Sequence, residues 1–177
     1  MVDEGWLTTD PVYKHVASMF AQDPRPSTVV VGRRDSGDST WATALAAIRA
    51  EDDSWYTFVF EPTSEGTTDA EIEEIGTWVL TQKKIGFVQS STAAIYDPAS
   101  TTDVLYNLRA NGRMALMYRA AARLGDCSPA GWLGEGLPWP IGSSQWAYKT
   151  LNGSLPDTLR SAQKTAIHNK SGNTYAV

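Results

Sequence analysis

Apolar positions change their period along the chain, and the changes mark alternating helices and strands. Asp10-Pro11 puts a capping carboxylate before a proline suited to a first helical position. Tyr13, Val16, Ala17 and Phe20 then share one face of a helix that Pro24 and Pro26 end near Gln22. Thr28 to Val31 is an all-apolar run, the pattern of a strand buried on both faces. Ser39 or Thr40 opens a second helix with Trp41, Leu45 and Ile48 inward. Ser54 to Pro62 reads as a second strand.

From Thr68 the period returns to the helical value. Thr68 and Glu71 form a capping box, and Ile72, Ile75, Trp78 and Val79 face inward. Asp69, Glu71, Glu73 and Glu74 are expected in water, matched to the helix dipole rather than gathered as a metal site. "KIGFVQSS" (84–91) is a third strand, Thr101 to Asn111 a helix ended by Gly112, and Arg113 to Arg119 a fourth strand. A short helix starts at Ser128-Pro129, and "PWPIG" is a turn. "SQWAYKTLNG" (144–153) reads as a strand or extended arm. Pro156 to Lys170 is a last helix with Leu159, Ala162 and Ala166 inward, and "TYAV" (174–177) begins a strand. Strands alternating with helices over short connections predict an α/β fold. The expected architecture is a mostly parallel sheet flanked by helices on both faces, with a C-terminal strand-helix extension, in one domain over residues 1–177.

Composition narrows the function classes. A 177-residue chain with 42% hydrophobic residues and seven Trp can bury a sizeable core. Fifteen basic against twenty acidic residues, with no basic cluster beyond Arg33-Arg34 and Lys83-Lys84, argue against a nucleic-acid partner. No run approaches a membrane span, and the acidic, Trp-bearing start lacks the features of a signal peptide, so the expectation is a soluble chain made in the cytoplasm. Cys127 alone cannot form an internal disulfide, and beside Ser128-Pro129 it reads as an ordinary small buried residue. With two His and one Cys, a Cys/His metal centre is not expected.

One stretch approaches a nucleotide-binding motif. Gly32, Gly37 and Ser39 follow an apolar run with the spacing of a P-loop, G-x-x-x-x-G-K-[ST], but Asp38 stands where that motif has lysine. Next to a polyphosphate the charge reversal costs on the order of several kcal/mol. Asp35 adds a second negative charge, and Arg33 and Arg34 lie on the wrong side of the loop. A strand, a polar turn and an N-cap explain the same residues.

The loops after the strands carry hydroxyls and carboxylates, including Asp35, Asp38, Asp97 and Asp126, yet no spacing selects an acid/base pair. His15 and His168 fall on the first and last predicted helices, away from those loops, which leaves a serine or cysteine nucleophile without a base. No catalytic, cofactor-binding or metal-ligating residue is therefore assigned. Trp132, Trp139 and Trp146 stand close together in a proline- and glycine-rich stretch, as a satellite cluster under a long loop or as an anchor between subunits. Arg33, Arg34, Lys83 and Lys84 read as solvated surface charges or as partners for a neighbour's acidic patch.

"DPVYKHVASMFAQDPRPSTVVVGRR" resembles the start of the conserved core of contractile bacteriophage and prophage tail sheath proteins: a short helix, a proline break and a "V-x-V-G-R" strand. "ALAAIRAEDDSWYTFVF", "DVLYNLRANGRMALMYR", "SPAGWLGEGLPWPIGSSQWAYKTLNG" and "TLRSAQKTAIHNKSGNTYAV" continue the likeness, in order, over nearly the whole chain. The resemblance is to sheaths of the Mu-like and related groups. It implies a virion structural protein without catalytic residues or cofactor, whose subunits stack as hexameric rings around a tail tube. The sheath is assembled in the host bacterial cytoplasm, and its contraction drives the tube through the envelope during genome ejection. The partners implied are neighbouring sheath subunits and the tail tube protein, with neither nucleic acid nor membrane. Such proteins usually carry further N- and C-terminal parts whose arms pair with strands of neighbours, so the chain is expected to be a core fragment, monomeric by itself. The alternatives are a doubly wound α/β enzyme or nucleotide-binding domain using the post-strand loops, with a degenerate P-loop at 32–39, and another phage or secretion-system assembly component on a similar core.

Overall fold

In a computed structural model that describes residues 5–60, 68–140, 143 and 145–177, four parallel strands form one sheet in sequential order. The strands are β1 (Thr57–Val59), β2 (Ile85–Ser90), β3 (Met114–Tyr118) and β4 (Asn173–Thr174). Cross-strand neighbours run Val59, Phe87 and Ala115 in one row and Met117 and Asn173 in another. Because the order never reverses, right-handed crossovers put one helix of each connection on the same face of the sheet.

That face carries α2 (Trp41–Glu51), α3 (Asp69–Leu80), α4 (Val104–Leu108) and α6 (Ser161–Asn169). It holds the larger core, where Ile72, Ile75, Val79, Val88, Ile95, Val104 and Ile167 are all fully buried. The opposite face is covered by α1 (Pro11–Phe20) and α5 (Ser128–Gly136) around Met19, Phe87, Cys127, Ala130 and Leu133. Gly134 makes that contact possible. A Cβ there would lie 2.6 Å from the Met19 carbonyl oxygen and 2.7 Å from its Cα, so the two helices meet backbone against backbone. The α/β architecture with helices on both faces is thus present.

Several elements differ from the sequence reading. Thr28–Val31 is not a strand: Val30 is 70% and Val31 42% exposed, and among the described residues no ladder joins the segment to a neighbour, so its apolar pattern lacks the partner a strand requires. The strand expected over 54–62 shrinks to Thr57–Val59, with Phe60 buried after it and 61–62 outside the described residues. The helix expected from Thr101 to Asn111 is the single turn and a half of α4, capped by Asp103 Oδ1 on Tyr106 N at 3.1 Å. Within 144–153 there is no strand among the described residues; Trp146 folds back instead beneath α5, and part of "PWPIG" and Ser144 are not described. The inward residues of α1 are His15 and Met19 rather than Tyr13 and Ala17, and Ala162 of α6 is exposed while Ile167 is buried.

Where the sequence carried a specific local signal, the structure follows it. Thr68 and Glu71 form both halves of the capping box, with Glu71 N donating to Thr68 Oγ1 at 3.3 Å and Thr68 N to Glu71 Oε2 at 3.0 Å. Thr40, not Ser39, caps α2, its Oγ1 accepting from Thr43 N at 3.1 Å. Among the described residues no helix is long and apolar enough to cross a membrane.

Candidate functional site

Open α/β sheets bind ligands beyond the carboxyl ends of their strands, at the point where the strand order reverses. Here the described strands have no such reversal, and their carboxyl ends are occupied by the chain itself. Arg119, the residue after β3, is completely buried. Its Nη1 donates to Asp157 Oδ2 at 3.0 Å and to the Tyr175 carbonyl at 3.1 Å. Its Nη2 donates to Asp126 Oδ2 at 3.2 Å and to the Leu155 carbonyl at 2.7 Å.

Burial pulls the Arg119 guanidinium down from its ordinary value, and the two carboxylates oppose that pull. Asp157 also accepts from Ala120 N at 3.2 Å, and its backbone bridges to the residues just after β4 through Tyr175 O at 2.7 Å and Val177 N at 3.0 Å. One guanidinium therefore ties β3, the 155–157 segment and the C-terminal strand into a single clasp. Gln89, at the end of β2, donates from Nε2 to Leu124 O at 2.7 Å and closes the neighbouring space.

A second clasp anchors α6. Lys170 Nζ is held by Asp103 Oδ2 at 2.8 Å and by the carbonyls of Ala94, Ile95 and Asp97 at 3.1, 3.2 and 2.8 Å. Burial pushes the Asp103 carboxyl upward, but its bonds to Lys170, Ser100 and Tyr106 N outweigh that and leave it below the usual carboxylate range. Four oxygens around one ammonium are what a buried cation requires, and they use all three of its protons.

Arg119 Nε and Gln89 Oε1 are buried without a hydrogen-bond partner, but the hydroxyls at this end are committed. Ser90 Oγ and Thr92 Oγ1 both donate to Asp69 Oδ1, at 3.1 and 3.0 Å, which staples the end of β2 to the first turn of α3. No imidazole stands between that serine and its carboxylate. His15 is buried in α1 with Nδ1 donating to Pro11 O at 2.8 Å, and His168 lies at the exposed end of α6 beside Thr174. Cys127 is buried in a left-handed conformation (φ 50°) between a 3-10 turn and α5, bonded through Sγ to Gly125 O.

The near P-loop is a surface turn. Asp35 Oδ1 accepts from Gly37 N at 2.8 Å, Asp38 Oδ2 accepts from Asp35 N at 3.2 Å, and Arg34 donates to Asp38 O while lying 4.7 Å over the Trp41 ring. The carboxylates that oppose a phosphate chemically thus also fill the turn physically. The four loop aspartates do not converge: Asp97 caps a local turn on Ala99 N, and Asp126 belongs to the Arg119 clasp.

At the amino ends of β1 and β2 lies a cleft of about 570 Å³ lined by Arg49, Asp53, Trp55, Tyr56, Gln82 and Lys84, among others. Its charges are spent on one another. Arg49 donates from Nε and Nη2 to the two Asp53 oxygens and from Nη1 to Gln82. Lys84, only 6% exposed, donates to Asp53 O and Trp55 O and sits 4.1 Å from the Trp55 ring. The Asp53 carboxyl is held at about 2 by its hydrogen bonds from Arg49 and Lys84. Lys84 is therefore not the solvated charge the sequence suggests, whereas Lys83 is exposed.

The acidic face of α3 is corrected in the same way. Glu71 accepts from Trp41 Nε1 at 3.0 Å, Glu74 from Ala42 N at 2.9 Å and Glu73 from Asn107 Nδ2 at 2.7 Å, so these half-buried side chains bind α2 and α4 as well as meeting water. Trp132 and Trp146 pack edge to face at 5.7 Å and both contact Phe87, with Trp132 Nε1 donating to Trp146 O, which is the satellite-cluster arrangement. Trp139 stands apart, 44% exposed. Among the described residues no group of three His, Cys, Asp or Glu is arranged to hold a metal ion. The residues that organise this end, Arg119, Asp157, Lys170 and Asp103, escape sequence reading because each pairs across 38 or 67 positions. No family model, curated protein or solved structure matches the chain.

Proposed function

We propose that the chain is the core of a contractile tail sheath subunit, a structural virion protein that assembles with copies of itself around a tail tube. The observation that carries this reading is the ordered series of segments from "DPVYKHV" to "SGNTYAV" that resembles the sheath core over nearly the whole chain. The packing supports it. A subunit that stores and releases energy through contacts with its neighbours has to move as a rigid body. Here both sheet faces are packed, and the two buried cations lock the C-terminal strand and α6 onto the sheet. Plugging the carboxyl end of the sheet with Arg119 and its partners suits a scaffold better than a catalyst.

Electron microscopy of the polypeptide as its gene encodes it tests this reading directly: rings or tubes are expected, and a protein that stays monomeric at high concentration would overturn it. Calorimetry with ATP or GTP and Mg²⁺ tests the competing nucleotide-site reading. A micromolar affinity abolished by altering Gly37 or Ser39 would overturn the sheath proposal.

A further inference from the structure

The edge strand β1 and the unpaired valine run before α2 are built to meet. Bonds from Ile85 N to Tyr56 O and from Phe60 N to Phe87 O show that Tyr56, Phe58 and Phe60 turn their backbone groups toward β2. Alternation then aims the N–H and C=O of Thr57 and Val59 at the free edge of the sheet. The segment Thr28–Val31 and the glycine after it touch both helical layers. Val29, like Val59, packs against the small core of the α1/α5 face, while a Cβ on Gly32 would lie 3.0 Å from Ile48 of α2. Val29 and the Cβ direction of Gly32, three positions apart, thus fall on opposite layers, as the alternation of a strand would place them, and α2, which links the segment to β1, lies on the face that a right-handed crossover demands. Only the ladder is absent, and Val30 is left 70% exposed.

We propose that Thr28–Val31 is a strap that closes onto β1 as a fifth parallel strand, covering the edge when closed and freeing it when open. The structure shows the open form. The polar turn of Asp35, Gly37 and Asp38 supplies slack on one side of the strap and Pro24 and Pro26 bound it on the other. Closure needs little movement because Val29 is already seated. This inference does not depend on the sheath reading, since it rests on the edge geometry alone.

The register can be stated in advance. Val29 shares a face with Val59, so Val59 lies opposite either Val29 or Val31. In both registers the Val30 N–H donates to β1, to Val59 O or to Thr57 O, and the Val59 N–H donates to the strap, to Thr28 O or to Val30 O. The Val31 N–H points away from β1 in both.

Amide hydrogen exchange of the 177-residue chain, resolved by NMR, tests this. Expected is protection of Val30 and Val59 at least about tenfold beyond Ser36, which corresponds to a strap closed about nine-tenths of the time. Val30→Pro removes the donor and should return Val59 to the rate of Ser36. Val31→Pro, whose lost N–H faces outward, should leave Val59 protected. Val88 and Leu116 in the central strands report that each variant keeps its fold. The proposal is overturned if Val30 and Val59 exchange as fast as Ser36, if Val59 stays protected in Val30→Pro, or if both proline variants deprotect it equally.

Discussion

Replacing Arg119 by methionine should be among the most damaging single changes in the chain. Methionine has nearly the length of the arginine stem and no charge, so it leaves Asp157, whose side chain is 2% exposed, as a buried carboxylate without its cation. It also strips donors from the Leu155 and Tyr175 carbonyls and from Asp126. Breaking a buried ion pair from one side costs about 3–5 kcal/mol, because the remaining charge stays desolvated. At roughly 2–4 °C per kcal/mol for a chain of this size, Arg119→Met should lower the melting temperature by about 6–20 °C in differential scanning calorimetry. Against a total stability of about 5–15 kcal/mol this approaches unfolding.

The diagnostic result is the double variant. Asp157→Asn removes the stranded charge, so Arg119→Met/Asp157→Asn should be more stable than the sum of the two single losses predicts, by about 1–3 kcal/mol. If Arg119→Met costs less than about 1 kcal/mol, or if the two substitutions simply add, Arg119 does not hold the carboxyl end of the sheet together.

Three further outcomes follow from other contacts. Asp103 has a depressed carboxyl in the folded state, so the stability it contributes is present above the unfolded carboxylate value and is lost as pH falls through its folded value. Asp103→Asn should therefore flatten the acid limb of a stability-against-pH curve, and a variant that titrates like the parent would contradict the pairing with Lys170. Gly134→Ala should cost about 1–3 kcal/mol by urea denaturation, since its Cβ meets Met19 backbone and α1 has to shift; a neutral effect would mean the helices are not packed this closely. Saturating ATP or GTP with Mg²⁺ should leave the melting temperature unchanged, because Asp35 and Asp38 fill the turn that a phosphate would enter; a shift of several degrees would restore the nucleotide reading.

Legibility of the sequence depended on whether an element was specified locally. The apolar runs of β2 and β3 and the Thr68/Glu71 box define themselves within a few residues, and the structure contains them. Thr28–Val31 reads as strongly as either strand, yet a strand also needs a neighbour, and pairing with a three-residue edge is not visible in the run itself. Charged residues misled in the other direction. Lys84 reads as solvated in sequence, and nothing there marks Lys170 or Arg119 as buried, because their oxygen partners arrive through tertiary contacts, several of them as backbone carbonyls that no side-chain pattern encodes. Glu71, Glu73 and Glu74 sit at helix positions that face outward in isolation and meet α2 and α4 only after packing.

Electron microscopy of the polypeptide as its gene encodes it tests the proposed sheath function most directly. The account predicts rings or tubes of uniform diameter. A complete polypeptide that remains monodisperse and monomeric at high concentration, with its core folded as described, would contradict it.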